Sequence, residues 1–439
     1  MIQQLKEHYK PMNKSHLLDP IQILHGPDKK VTSDAVLFIN KQIQAFGEEA
    51  RIHAKKLKIA AKSAKNLLLA PCLVDPHSVL ENHLNSRVET ISTLLLKAAN
   101  AGYGQIALLP RSSIWRDKPE HLQPLSDYKK DVLIHLWGSF SQKGKGEELA
   151  PHKELLDFEA IGLADDDSMI PAELLRKGIM LNELRGRPLL VAPRDRAIQG
   201  HGIVREAVEA LRSGWSLDPI ESETIPLAIL LELQKQYPKV NLRLMNLSTA
   251  DGVTMLASNN RRPLATVSWW HLVADQSSLA STDIGIRVVP SLGSEKDRLA
   301  LKEGLRSGIL TGVSVSGVAL DDAETKKPIS ERAPGLNGYH LVLPFLWQEL
   351  IEKSQWSIEE LWEAISFGPS KILNLPKEEL NLFSNRWILF DPKKQWVQNN
   401  VHSSQSLGTA SNQPWKDAKI TGQVIDCGLT AEFKAPPFD

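Results

Sequence analysis

Residues 70–77 read APCLVDPH, a short apolar run that ends in an acidic residue, a proline and a histidine. Before this stretch, from about residue 17, short strand-like runs are separated by turns rich in Gly, Pro, Asp and Lys, which predicts a small sheet. After it, up to about residue 380, an apolar strand, a loop and an amphipathic helix follow one another repeatedly. The stretch therefore marks the entry into a second and larger unit.

The repeated unit predicts an α/β fold, because strands that alternate with amphipathic helices build a parallel sheet covered by helices. Helices are predicted, for example, at 88–99, 223–236 and 297–305, where apolar residues recur three and four positions apart. Strands are predicted at 73–74, 105–109, 132–137, 160–163, 189–192, 242–247, 265–268 and 311–315. Eight such units are typical of a (β/α)8 TIM barrel, whose functional residues lie at the C-terminal ends of its strands.

The two chain ends are predicted to share the smaller domain. Strand-like runs return beyond the barrel, at 387–390, 396–397 and 421–427. We therefore expect four segments: an N-terminal extension at 1–16, a small β-sandwich domain made from 17–70 and 381–439, and a barrel at 71–380.

Composition excludes several classes of partner. The 439 residues carry 52 Lys plus Arg and 52 Asp plus Glu, so the formal net charge is zero, and we expect neither a nucleic acid nor a membrane as partner. Cys72 and Cys427 are the two cysteines and have no metal-type spacing, which favours a reducing compartment. The first sixteen residues are polar and do not resemble a secretory signal. These features predict a cytoplasmic protein.

Residues 70–77 resemble the entry into the first barrel strand of dihydroorotases, which belong to the amidohydrolase superfamily together with allantoinases and hydantoinases. Further segments are similar to that family in the same order along nearly the whole chain, and they are Ala98–Pro110, Asp165–Asp167, Leu247–Ala250, Pro290–Arg298, Ala333–Gly338 and Phe390–Pro392. The resemblance implies a barrel of the metallo-dependent hydrolase type with a small domain built from both chain ends. It also implies a place in pyrimidine biosynthesis.

The resemblance further implies a metal centre, since ring hydrolysis at neutral pH uses a divalent metal to activate water. The family holds its metal with a His-x-His pair, an acidic or carboxylated residue, two further His and an Asp that also shuttles the proton. Here His77 and Asp165 remain from that set. The other family positions carry side chains that are poor metal ligands, namely Val79, Ala192, Asn246 and, at the proton-shuttle position, Ser316. We therefore expect no metal cofactor and no catalytic residue.

Substrate recognition also departs from the family. Where the family uses an Arg and an Asn to hold the substrate carboxylate, this chain has Glu81 or Asn82 and, after the second strand, Arg111. The family's loop Arg is replaced by Gly293. An acidic side chain repels an anionic substrate, whereas Arg111 offers a new contact for a carboxylate.

Several residues have both a functional and a structural interpretation. His201 and His271 are candidates for a rearranged zinc centre with His77, although a histidine hydrogen-bonded inside a filled pocket is the more common case. The acidic run at 165–167 could bind a cation, but capping of the following helix is favoured. Adjacent Trp269 and Trp270 either fill the space of the metal and substrate or belong to ordinary packing.

A basic run in the N-terminal part of the chain also needs an explanation. Its members are Lys55, Lys56, Lys58, Lys62 and Lys65. Binding of a phosphate group or of a nucleic acid is one interpretation. A solvated edge of the small sheet, where lysines discourage pairing with another strand, is favoured.

Three functions remain open. The leading hypothesis is a catalytically inactive dihydroorotase-like protein that acts as a structural or regulatory partner, with aspartate carbamoyltransferase as the partner implied by the family and a homo-oligomer as a further expectation. The alternative is an active cyclic amide hydrolase with a rearranged zinc site. The third is a sensor in which Arg111 binds a carboxylate without turnover.

Overall fold

The computed structural model describes residues 15–81, 88–126, 131–212, 214–278, 287–398 and 410–429. Within these ranges, eight parallel strands form a nearly closed barrel in the order of the chain. The strands are β5 (Leu73–Ser78), β6 (Tyr103–Leu108), β7 (Leu133–Ser139), β8 (Gly162–Ala164), β9 (Pro188–Val191), β12 (Asn241–Leu244), β13 (Leu264–Ser268) and β14 (Gly312–Ser314). All eight overlap the predicted strands, so the TIM-barrel prediction is confirmed.

Helices follow most strands and cover the outside of the barrel, as an α/β fold requires. The α-helices in the barrel part of the chain are α2 (Ile91–Asn100), α3 (Pro119–Ser126), α4 (His152–Asp157), α5 (Ala172–Met180), α6 (Arg196–Gln199), α7 (Val208–Arg212), α8 (Glu221–Gln236), α9 (Ala250–Ala257), α10 (Trp270–Val273), α11 (Glu295–Arg306), α12 (Asp322–Thr325), α13 (Tyr339–Leu346), α14 (Ile358–Trp362) and α15 (Gly368–Ile372). Trp347–Lys353 and Glu363–Phe367 are π-helical. None of the described helices has the length and apolar character that a membrane crossing would need.

A second pair of strands lies in the connection that follows β9. These strands, β10 (Val204–Arg205) and β11 (Leu217–Asp218), pair in parallel. The buried Arg205 guanidinium ties them to α8, since it lies 3.1 Å from Asp218 and 3.4 Å from Glu223. The connection is therefore anchored to the barrel by a buried ion-pair network.

Side chains close the barrel between its first and last strands, which stand at the two ends of the hydrogen-bonding order. The buried carboxylate of Asp75 on β5 accepts hydrogen bonds from the Val315 backbone N–H at 2.9 Å and from the Tyr339 hydroxyl at 2.7 Å. Ser78 donates to the same carboxylate at 2.5 Å and accepts from the Gly317 N–H at 3.0 Å. We call the group formed by Asp75, Ser78 and Tyr339 the seam.

The small domain uses both chain ends, as the sequence predicts. Six described strands form one continuous sheet in the order β16-β15-β4-β1-β2-β3. They are β1 (His16–Ile23), β2 (Thr32–Ile39), β3 (Gln42–Phe46), β4 (Ala61–Pro71), β15 (Trp387–Val397) and β16 (Lys419–Cys427). Alternate residues of β2 enter two separate apolar clusters, one of which includes helix α1 (Gly47–Lys56). Period-two alternation therefore gives the sheet two buried faces.

The basic run lies on α1, on the turn after it and on β4, and all five lysines are exposed. Strand β4 is internal to the sheet, so the expectation that these lysines mark an outer strand is wrong for the strand as a whole. Among the described strands, however, β15 pairs with β4 only over Leu68–Pro71, whereas Ala61–Ala64 pairs with β1 alone. Lys62 and Lys65 thus lie on a half-strand that is open on one side.

Candidate functional site

A pocket lies at the C-terminal ends of the barrel strands. Eight of the residues singled out in the sequence line it, namely His77, Val79, Arg111, Asp166, Asp167, Asn246, Trp270 and Ser316. Parallel strands of a barrel end at the same face, which explains how positions more than 200 residues apart converge. We call this pocket the barrel mouth.

His77 is held at the end of β5 as a buried, neutral imidazole. Its Nε2 atom lies 2.9 Å from the Thr266 hydroxyl and its Nδ1 atom lies 3.2 Å from the Ser316 hydroxyl. Burial lowers the pKa of His77 to about 3. Both ring nitrogens therefore have protein partners, and the ring is uncharged at neutral pH.

Asn246 and Ser316 are hydrogen-bonded to each other across the barrel mouth. The Asn246 side-chain amide donates to Ser316 Oγ at 2.8 Å, and its carbonyl oxygen accepts from Ser314 at 2.7 Å. Both residues have positive φ, 51° for Asn246 and 46° for Ser316, which turns the chain sharply where each strand ends. An amide and a hydroxyl thus stand where the resemblance to dihydroorotases implies an imidazole and a carboxylate, respectively.

Val79 and Ala192 are part of an apolar wall. Both are buried and belong to a cluster that also contains Leu109 and Met245. Val79 lines the barrel mouth, whereas Ala192 packs in the cluster behind it. Neither side chain has an atom able to coordinate a cation.

The residues at the barrel mouth do not fit a divalent metal. They offer one imidazole with both nitrogens engaged, one amide, hydroxyls, and the carboxylates of Asp166 and Asp167, which are paired with arginines, whereas zinc is held by three or four His, Cys or carboxylate ligands. Among the described residues, no group of three or more His, Cys, Asp and Glu side chains is arranged to hold a metal ion. The prediction that the protein binds no metal stays a prediction.

Asp165, the second remnant of the ligand set, is turned away from the barrel mouth. One carboxylate oxygen accepts from the backbone N–H groups of Phe140 and Ser141, each at 2.9 Å, and the other accepts from the Ser141 hydroxyl at 2.5 Å. Burial raises the pKa of Asp165 to about 6 despite these bonds. The structure therefore does not bring Asp165 together with His77.

The expectation that this acidic run caps the next helix is wrong. Helix α5 begins behind Pro171 and has no side-chain cap. Instead, Asp166 and Asp167 line the barrel mouth and pair with arginines. Three consecutive acids are compatible here because each finds a different set of donors.

Arg111 lines the barrel mouth, where it forms ion pairs with two carboxylates. Its Nη2 atom lies 2.5 Å from Glu81 Oε1 and its Nη1 atom lies 3.5 Å from Asp166 Oδ1. Asp167 is 2.7 Å from Arg194, and Arg196 contacts it as well. Burial tends to raise the pKa of Asp167, but the two arginines outweigh it and hold this pKa well below its usual range.

The two histidines proposed for a rearranged centre do not join His77. His271 is buried, with Nδ1 2.5 Å from the Ser268 hydroxyl and Nε2 3.3 Å from the Ser291 carbonyl, and burial lowers its pKa to about 4. His201 is exposed in the turn after α6. Neither lines the barrel mouth, so the structural interpretation of these histidines holds.

Of the remaining positions singled out in the sequence, some line the barrel mouth and others pack elsewhere. Trp270 lines the barrel mouth, whereas Trp269 packs against Phe345 and Trp415. Gly293 sits against the Asp297 side chain. Asn82 lies outside the described residues.

Sequence reasoning missed the seam, although Asp75 belongs to the stretch that carries the resemblance. The available signal was an acidic residue within an apolar strand, because a buried carboxylate requires hydrogen-bond donors. Its position two residues before His77 links the closure of the barrel to the placement of that imidazole.

Known proteins are similar to this chain over most of its length. No protein-family model matches it. A probable dihydroorotase-like protein of Synechocystis sp. is 32% identical over 443 residues, which covers 93% of this chain and 97% of that protein. A dihydroorotase of Thermus aquaticus is 26% identical and covers 81% of this chain and 86% of its own length.

Solved structures agree on the fold. A dihydropyrimidinase from Brevibacillus agri superposes with a TM-score of 0.74 at 17% identity, over 95% of this chain and 94% of that one. At this identity the likeness concerns the fold alone. Because the cyanobacterial relative is 32% identical over almost all of both chains, this protein belongs to the dihydroorotase-like family of the amidohydrolase superfamily.

Proposed function

We propose that this chain is a catalytically inactive dihydroorotase-like protein that acts as a structural or regulatory partner in pyrimidine biosynthesis, with aspartate carbamoyltransferase as the candidate partner. One observation carries the proposal. At the barrel mouth, His77, Asn246 and Ser316 satisfy one another's hydrogen bonds and leave no set of donors for a metal. The partner role rests on family membership and on a barrel that keeps its fold without that chemistry.

The chemistry of ring hydrolysis supports this view. Opening a cyclic amide at neutral pH takes a hydroxide-like nucleophile, a polarised carbonyl and a group that accepts and returns a proton. Ser316 is a hydroxyl and does not act as a base near pH 7. His77, whose pKa is lowered to about 3 by burial, is too weak a base for the same task.

Activity measurements test the proposed inactivity. The purified full-length protein is assayed with dihydroorotate and, in the reverse direction, with carbamoyl aspartate, each with and without added zinc. We expect rates equal to the buffer background and a zinc content far below one ion per chain. Turnover that depends on zinc and is lost in His77→Gln would refute the proposal, since His77→Gln removes the one imidazole at the barrel mouth.

Partner binding is tested separately. Tagged protein is mixed with aspartate carbamoyltransferase from the same cells, and the mass of the species is measured by light scattering after gel filtration. We expect a complex of defined stoichiometry that persists on dilution to micromolar concentrations. Separate elution of the two proteins, together with unchanged transferase kinetics, would rule out this partner.

A further inference from the structure

We infer that the barrel mouth is a binding site for a small uncharged molecule that carries both an N–H donor and a carbonyl acceptor, and that Glu81 and Asp166 exclude carboxylates from it. The inference rests on the proposed function, because a divalent cation at the barrel mouth would reverse the local charge. It differs from the carboxylate sensor that Arg111 suggests in the sequence.

Arg111 is already paired with protein carboxylates. Its guanidinium is 24% exposed and already contacts two carboxylates, Glu81 at 2.5 Å and Asp166 at 3.5 Å. Glu81 is itself held in place, because its backbone carbonyl accepts from the Ser112 hydroxyl at 2.8 Å and from the Ser113 N–H at 2.6 Å. A ligand carboxylate must therefore displace a protein carboxylate before it reaches this cation.

The charged side chains at the barrel mouth are unfavourable for an anion. Among the described residues that line the barrel mouth, Asp166 and Asp167 carry negative charge and Arg111 carries positive charge. Arg194 and Arg196 are committed to the acidic pair from its other side. An entering anion would meet no unpaired cation there and would lie close to two carboxylates, which repels it.

Two buried polar atoms at the barrel mouth make no hydrogen bond. Within the described part of the chain these are Trp270 Nε1 and Asp166 Oδ1, the second of which has the Arg111 guanidinium 3.5 Å away as an ion-pair partner. Both residues line the barrel mouth, beside the apolar side chains of Val79, Leu109 and Met245. Buried polar groups are ordinarily hydrogen-bonded. An uncharged amide supplies both hydrogen-bonding partners. Its carbonyl oxygen accepts from the indole N–H, and its N–H donates to the carboxylate.

A matched pair of probes tests the inference. Dihydrouracil and dihydroorotate differ by one carboxylate, and both are titrated by calorimetry into the zinc-analysed full-length protein. We expect dihydrouracil to bind at least tenfold more tightly than dihydroorotate. Equal or tighter binding of dihydroorotate would overturn the inference, and so would the absence of any binding by dihydrouracil.

Variants identify the excluding group. In Glu81→Gln we expect dihydroorotate affinity to rise at least tenfold while dihydrouracil affinity stays within a factor of about two. The control is Glu48→Gln, which removes an exposed acid on α1 in the small domain, and should change neither affinity. No gain for dihydroorotate in Glu81→Gln would contradict the assigned role of Glu81.

The same protein preparations distinguish a failure of the proposed function from a failure of the present inference. If the protein holds stoichiometric zinc and turns over dihydroorotate, the proposed function has failed and this inference fails with it. If the protein is free of zinc and inactive but prefers dihydroorotate, only the present inference has failed.

Discussion

The seam and the network of His77, Asn246 and Ser316 at the barrel mouth are adjacent layers of one barrel, yet they have opposite chemical character. In the seam, the buried carboxylate of Asp75 accepts bonds from three donors on β5, on the chain after β14 and on α13. At the barrel mouth, two residues further along the chain, His77 meets only hydroxyls. A charged acceptor is kept where it closes the fold, whereas the imidazole, amide and hydroxyl of His77, Asn246 and Ser316 are neutral.

The difference teaches which residues a barrel can change at low cost. Removal of a buried carboxylate leaves its donors unpaired, which costs several kcal/mol. Replacement of a metal ligand by a side chain that completes a neutral hydrogen-bond network leaves few unpaired groups. The fold therefore survives at the barrel mouth under substitutions that the seam would not tolerate.

The largest expected effect is at the seam. Asp75→Ala removes the acceptor shared by Ser78, Tyr339 and the Val315 N–H, and we expect the free energy of unfolding to fall by about 3–5 kcal/mol. The measurement is urea unfolding followed by tryptophan fluorescence. Tyr339→Phe, which deletes a single donor of the same network, is the matched control and should cost about 1 kcal/mol. If the two variants were equally stable, the seam would not be the support described above.

A second expected effect concerns pH and the barrel mouth. His77 has a pKa of about 3 in the folded protein and about 6.5 when unfolded, so the unfolded chain binds the additional proton between these values. This contribution to stability is present above pH 6.5 and is lost as pH falls, by about 2 kcal/mol at pH 5. Compared with His77→Gln, the unmodified protein should lose more unfolding free energy between pH 7 and pH 5.

Nuclear magnetic resonance checks the same prediction directly. The imidazole signals of His77 should not titrate between pH 8 and pH 5. A midpoint near 6.5 for His77 would mean that the barrel mouth is more open to water than its burial indicates.

A smaller effect is expected within the barrel-mouth network. Asn246→Ala and Ser316→Ala each remove the bond between these two side chains, and each should cost about 1 kcal/mol of unfolding free energy. Because they share that bond, the double variant should cost less than the sum of the single variants. Strict additivity would show that the two side chains act independently.

The smallest expected effect is that of a chelator. A protein stabilised by a bound metal loses stability when the metal is removed, because the ligand favours the folded state by mass action. We expect the melting temperature to change by less than about 1 °C on EDTA treatment or on addition of excess zinc. A fall of several degrees with EDTA, reversed by zinc, would show that the barrel mouth holds a metal.

The sequence by itself determined the barrel and the identity of its altered positions. Eight apolar strands alternating with amphipathic helices predict parallel pairing, and parallel strands of a barrel must end on one face. That topology alone brings His77, Asn246 and Ser316 together. Strand placement is predictable because burial on both faces leaves a near-continuous apolar run in each strand.

Only the tertiary structure decided where the acidic side chains point and what they meet. Asp165 and Asp166 are neighbours in an acidic run, yet the first turns to Ser141 and the second to Arg111. The donors for each come from distant segments of the chain, and no local pattern encodes which one is nearer. The direction of a loop side chain follows from three-dimensional neighbours, whereas a strand is specified by its own residues.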